Sequence, residues 1–200
     1  MHISEGVLGG VVLAAGAGLS LAGVAVGLKK LDYGQMPKVA ILAAAFFVAS
    51  LVSVPIGPAK AHLVLNGLLG LLLGWGAFPA LLVALALQAV LFQFGGLTTL
   101  GVNTFNMALP AVLCYLVLGG LTRNGGQRMP LLAGFLAGSL SVGGSALLVA
   151  ATLYTAGQEF LTMAHLVVVA HLPVMVLEGV ITAATVGFLR RVRPAMLGMA

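Results

Sequence analysis

Leu131–Leu153 reads LLAGFLAGSLSVGGSALLVAATL, without one charged residue. A bilayer core takes roughly 20 apolar residues as a helix. A lipid-exposed backbone must satisfy its own polar groups, which a helix does. Working outward from this stretch, six more apolar runs appear: Val7–Leu28, Val39–Val54, Leu63–Trp75, Ala80–Phe94, Phe105–Gly119 and Met163–Leu189. Breakers separate them, among them Lys29-Lys30-Leu31-Asp32-Tyr33-Gly34, Pro55-Ile56-Gly57-Pro58, Gly95-Gly96 and Arg123-Asn124-Gly125-Gly126. The expectation is an all-α, polytopic bundle of about seven transmembrane helices, with residues 1–200 as a single integral membrane domain. The third and fourth runs are short. They read either as a tilted helical pair or as a re-entrant hairpin, and both return the chain to the side it left.

Composition agrees. The chain is 61% apolar and 6% charged, whereas a soluble domain carries about 25% charged residues to solvate its surface. No polar stretch is long enough to fold outside the membrane, so the chain cannot hydrolyse ATP itself. The net charge of +5 does not imply nucleic acid, because the cations sit at the ends of apolar runs. Seven crossings put Lys29, Lys30, Lys38, Arg123, Arg128, Arg190, Arg191 and Arg193 on one side and Lys60 alone on the other. The positive-inside rule then places the C-terminus in the cytoplasm and the N-terminus outside. The start carries no basic n-region, so it is expected to be retained rather than cleaved. Cys114 lies within an apolar run and reads as packing. Gly134-Phe135-Leu136-Ala137-Gly138 is a small-xxx-small pair suited to close helix contact. Ala40/Ala44 and Ala45/Ala49 form similar faces, candidates for docking another membrane protein.

All four histidines, His2, His62, His165 and His171, fall toward the outer side in this topology. Each has an ordinary alternative as an interfacial or backbone-bonded residue. His2 stands apart because the chain's own amino group is its neighbour. The Met1 α-amine, the amide between residues 1 and 2, and a His2 ring nitrogen close a five- and a six-membered chelate ring. Three nitrogens in a plane suit Ni²⁺ or Cu²⁺ and, less readily, Co²⁺. One further imidazole completes four ligands, and His62 is the best candidate. Glu178, mid-way along the seventh run, is a functional-site candidate because a carboxylate in a membrane is costly. It reads as protonated, as paired across helices, or as orienting a ligand histidine. Asn66, Gln88, Gln93, Asn103 and Asn106 read as interhelical hydrogen-bonding residues. Neither an HExxH motif nor a phosphate-binding glycine loop is present in the sequence.

The start Met1-His2-Ile3-Ser4-Glu5-Gly6 resembles the Met-His-Ile-Pro-(Asp/Glu)-Gly start of the CbiM/NikM proteins. The run Gln93-Phe94-Gly95-Gly96-Leu97-Thr98-Thr99-Leu100-Gly101-Val102-Asn103-Thr104-Phe105-Asn106-Met107-Ala108 resembles their most recognisable internal segment. Ala170-His171-Leu172-Pro173-Val174-Met175-Val176-Leu177-Glu178-Gly179 is similar to their motif in the last helix. The resemblance covers nearly the whole chain. It implies the substrate-specific (S) component of an energy-coupling factor (ECF) importer for Ni²⁺ or Co²⁺, in a prokaryotic inner membrane. Its partners would be a transmembrane (T) subunit, two ATPase (A) subunits and, in some arrangements, a small additional membrane subunit. The family's metal ligands carry over to Met1, His2 and His62, with Glu178, His171 and Asn103 as candidates for a supporting shell. Ser4 stands where the family has proline, which removes no ligand. The loop before His62, Pro55-Ile56-Gly57-Pro58-Ala59-Lys60-Ala61, is richer in proline than the family's. Two rivals remain. A self-sufficient secondary transporter would use Glu178 for a coupling ion. An intramembrane metalloenzyme would hold its metal by His165 and His171.

Overall fold

The computed structural model describes residues 2–56, 59–124, 126 and 128–199. Seven α-helices follow in chain order: α1 (Gly10–Lys30), α2 (Met36–Ala49), α3 (Asn66–Leu73), α4 (Ala77–Phe92), α5 (Leu100–Asn124), α6 (Met129–Tyr154) and α7 (Leu161–Val192). Between α2 and α3 lies a short antiparallel hairpin of β1 (Ser53–Ile56) and β2 (Ala59–His62), with Ser53 opposite His62. The second apolar run was expected to stay helical to Val54. It stops at Ala49 instead, and Pro55 gives the reason: it offers no N–H and disfavours helix at the residue before it.

Helices α1, α5, α6 and α7 are each long and apolar enough to cross a bilayer, and α2 is shorter. Small residues set how closely they pack. A Cβ at Gly138 of α6 would stand 2.4 Å from the Glu178 carbonyl oxygen of α7. The Gly134/Gly138 pair thus serves contact within the chain. Outward faces are apolar, as lipid requires: Val11, Val117, Leu147 and Val169 are all exposed. Cys114 is buried in the core.

The third and fourth runs form a hairpin with unequal arms. The ring of His2 stacks on His62, which precedes α3, at 5.1 Å, and on Phe94, which follows α4, at 6.3 Å. One straight helix over residues 66–92 would hold its ends about 40 Å apart. The chain therefore reverses, at the 3₁₀ turn Gly74–Gly76, where Gly74 takes φ +55°. Helix α3 covers only about 12 Å. It wedges between α5 and α6 on glycines: Cβ atoms at Gly67 and Gly70 would meet the carbonyl oxygens of Ala137 at 2.3 Å and Ala111 at 2.1 Å.

The bundle has two chemically distinct ends. At the basic end, Lys38 Nζ donates to the carbonyls of Leu72 (2.7 Å) and Met196 (2.8 Å), and Arg190 donates to that of Thr122 (3.0 Å). At the histidine end, residues 2–9 do not lengthen α1, although the first apolar run begins at Val7. They turn at Gly6 (φ +80°) and lie back over the bundle, burying Ile3 and Leu8.

A candidate metal site beneath the N-terminal segment

The N-terminal segment is held chiefly by its backbone. Ile3 N donates to Asn103 Oδ1 at 3.0 Å, and Asn103 Nδ2 donates to Ile3 O at 3.0 Å. Thr99 Oγ1 donates to the same carbonyl at 2.8 Å, and Asn103 Nδ2 also reaches Thr99 Oγ1 at 3.2 Å. Thr99 and Asn103, one turn apart at the start of α5, thus treat Ile3 as the next strand of a sheet would. Farther along, Thr98 N donates to Glu5 Oε1 at 3.2 Å. Gly95-Gly96 makes room for the segment. A Cβ at Gly95 (φ +78°) would meet Asn103 Nδ2 at 2.9 Å and His2 Cβ at 3.4 Å.

This clamp delivers His2 to His62. Their rings stack with centroids 5.1 Å apart and planes inclined by 24°. A coordinated imidazole has its centroid about 3 Å from the ion, so two rings sharing one ion lie about 4–6 Å apart. The observed spacing fits a shared ion. Burial, the largest cause for both, holds the His2 ring well below the ordinary histidine pKa of 6.5 and lowers that of His62 to about 3. Both rings are neutral at pH 7, the form that ligates metal.

Gln88, fully buried on α4, stands beside the His2 ring and favours its protonated form. His2 Nε2 and Gln88 Oε1 are each buried without a partner at ordinary hydrogen-bond geometry, so the approach is close but not a well-formed bond. The orientation of the Gln88 amide is set from the other side. Ser50 Oγ gives its proton to the Phe47 carbonyl (2.7 Å) and so accepts from Gln88 Nε2 (2.6 Å). Ser50 thus engages the amide nitrogen and leaves the Gln88 oxygen as the free end of the amide.

Glu178 acts on main chain. Its carboxylate, fully buried, accepts from the amides of Val64 and Leu65; the Leu65 bonds measure 2.9 and 3.0 Å. It anchors the segment just after His62, where Leu65 takes φ +50°. Those same bonds start α3 at Asn66 rather than at Leu63. Buried His171 bonds through Nδ1 to its own helix at the Val167 carbonyl (2.6 Å), with Nε2 unpartnered. His165 is exposed, bonded to Leu161 O at 2.8 Å. One of these two rings faces outward and the other inward, so the metalloenzyme pair does not converge.

Met1 lies outside the described residues, as do Gly57 and Pro58 of the loop before His62. Among the described residues, no three His, Cys, Asp or Glu side chains gather to hold a metal. Two imidazoles, of His2 and His62, are what the described side chains bring together. Sequence reasoning missed the roles of Thr99, Ser50 and Phe94. The four-residue spacing of Thr99 and Asn103 at a helix start was the available signal. Asn66 and Asn106 do bond between helices, Asn66 Nδ2 to Ser145 Oγ at 2.9 Å and Asn106 Nδ2 to Thr152 Oγ1 at 3.3 Å.

A helical membrane bundle that seats two neutral imidazoles under its own N-terminal segment has the character of a metal carrier's binding component. Comparison with known proteins gives the family. The profile of the CbiM family, described as the cobalt uptake substrate-specific transmembrane region, matches residues 2–196. A Haemophilus influenzae protein assigned to metal transport is 43% identical over 199 residues, spanning 98% of this chain and 97% of its own. The fused nickel transport protein NikMN of Rhodobacter capsulatus is 36% identical over 159 residues, 75% of this chain and 46% of that longer one. A crystal structure of a transition metal transporter superposes with a TM-score of 0.77 at 28% identity, covering 96% of this chain and 93% of that one. The chain belongs to the CbiM family. It is a multi-pass component of cobalt or nickel uptake in a prokaryotic inner membrane, and not an enzyme. Proteins of this family work with other transporter subunits in the membrane.

Proposed function

We propose that this chain is the S component of an ECF-type importer and captures Ni²⁺, with Co²⁺ a close second, from the outer face. Residues 1–200 act as one membrane domain, with the histidine end outside and the basic end in the cytoplasm. The ligands are the Met1 amine, the residue-2 amide, a His2 ring nitrogen and His62. The observation that carries this reading is the His2–His62 stack at 5.1 Å, fixed by the two-bond clamp of Asn103 on Ile3. Planar nitrogen ligation favours Ni²⁺ over Co²⁺, and the relatives include both cobalt and nickel transport proteins. The metal is cargo. A T subunit and two A subunits supply the ATP-driven step, and a small additional membrane subunit fits the same assembly. The exposed Ala40/Ala44 face of α2 is where a T subunit would dock. Glu178 is engaged by backbone amides, which disfavours its use as the coupling-ion site of a secondary transporter.

Calorimetry of the purified protein with Ni²⁺ tests the site. His2→Ala should abolish high-affinity binding and His62→Ala should weaken it strongly. One residue added before Met1 should be nearly as damaging, because it moves the amine. Tight Ni²⁺ binding by His2→Ala would sink the assignment.

A further inference from the structure

Four cations meet in one cavity at the end of the bundle opposite the histidines. The cavity, about 660 Å³, is bordered by Lys30, Lys38, Arg123 and Arg193, which come from α1, α2, α5 and the residue after α7. Among the described residues, no acidic side chain lines it, and Asp32, the acid nearest in sequence, is exposed. Like charges gathered in a concave space repel, and a bound anion relieves them. The cations are also held in place. Lys38 is fixed by the carbonyls of Leu72 and Met196. Arg123 lies over the Tyr115 ring at 5.4 Å and Lys30 over the Trp75 ring at 5.2 Å. Arg123 Nε is buried with no hydrogen-bond partner, a donor lacking its acceptor.

We propose that this cavity binds the phosphate headgroup of an anionic phospholipid of the inner leaflet. A phosphate oxygen supplies what the Arg123 guanidinium lacks, and arginine suits phosphate by its fork geometry. The rest of the lining decides between a lipid and a free ion. Leu31, Leu72, Leu116 and Met196 border the same space, and Leu116 opens to the lipid-facing surface. Four cations beside such an apolar wall match a headgroup with its glycerol and first acyl carbons. Basic pockets between helices on the cytoplasmic side bind lipid headgroups in this manner. The inference uses the orientation given above but not the metal site, which is at the other end.

Native mass spectrometry of the full chain, released from micelles doped with phosphatidylglycerol or phosphatidylcholine, tests it. The wild type should retain one phosphatidylglycerol selectively. Lys30→Gln with Arg193→Gln, two exposed positions outside the packed core, should weaken retention at least tenfold, at roughly fivefold per cation. Arg123→Gln should weaken it too, and Ni²⁺ binding should be unchanged in the double variant. Equal retention of the two lipids, or no loss in the double variant, overturns the proposal. Displacement by millimolar inorganic phosphate overturns the lipid in favour of a soluble anion. Cross-linking of Lys30 to a partner subunit's carboxylate without lipid selectivity overturns it in favour of a protein contact.

Discussion

Asn103→Ala isolates the clamp from the ligands. The substitution removes one acceptor and one donor, each in a 3.0 Å bond to Ile3. It leaves Thr99 on the Ile3 carbonyl and touches neither histidine ring. A typical hydrogen bond contributes about 0.5–1.5 kcal/mol net, so the segment loosens by about 1–3 kcal/mol. Residue 2 can present its nitrogens only while Ile3 is docked, so this energy is subtracted from metal affinity. The Kd for Ni²⁺ should rise about 5- to 150-fold. Calorimetry on the detergent-purified variant measures it, with far-ultraviolet circular dichroism to show that the helices persist. A Kd within twofold of wild type, with the helices intact, would refute the reasoning. Docking of the segment would then not limit binding.

Two further outcomes follow from the same geometry. Gln88→Leu removes the amide beside the His2 ring; affinity should fall about 10- to 100-fold, as for other residues that orient a metal-bound histidine, and calorimetry with Ni²⁺ measures it. Acid should destabilise the metal-free protein. The folded pKa of His62, about 3, and that of His2 lie below the unfolded 6.5, so the unfolded state binds more protons below pH 6.5. The His62 contribution is therefore full above pH 6.5 and is lost toward pH 3 by up to about 1.4 kcal/mol per unit, and His2 acts in the same direction. Detergent unfolding from pH 7 to pH 4 measures the slope, which His62→Gln should reduce.

The long apolar helices could be read directly, because a charge-free run of bilayer length admits few other structures. Leu131–Leu153 lies inside α6 with little change. Limits of the reading appear where backbone decides. The hydropathy of residues 63–75 says nothing of a reversal at Gly74, nor that α3 starts only after Glu178 has taken two amides from the chain. Val7 and Leu8 extend the first run by composition, yet they belong to the folded-back segment, because Gly6 turns with positive φ. His2 and His62 could be singled out because imidazole has few other uses beside a free amine. Gln88 could not be, because its place beside the ring depends on the N-terminal segment folding back onto α4. Asn103 reads in the sequence as an interhelical residue and as a supporting-shell candidate, and its partner is the main chain of Ile3, which the folded-back segment brings to it.

Asn103 and Thr99 grip only the N–H and C=O of Ile3, groups that nearly every residue carries. The clamp therefore measures length rather than identity. Positions beyond it, such as the exposed Ser4, are free to drift in side chain. A single insertion or deletion between the clamped residue and the histidine before it would turn the ring away from His62, however conservative the composition. The N-terminal segment is a ruler, and its tolerance to change is set by counting.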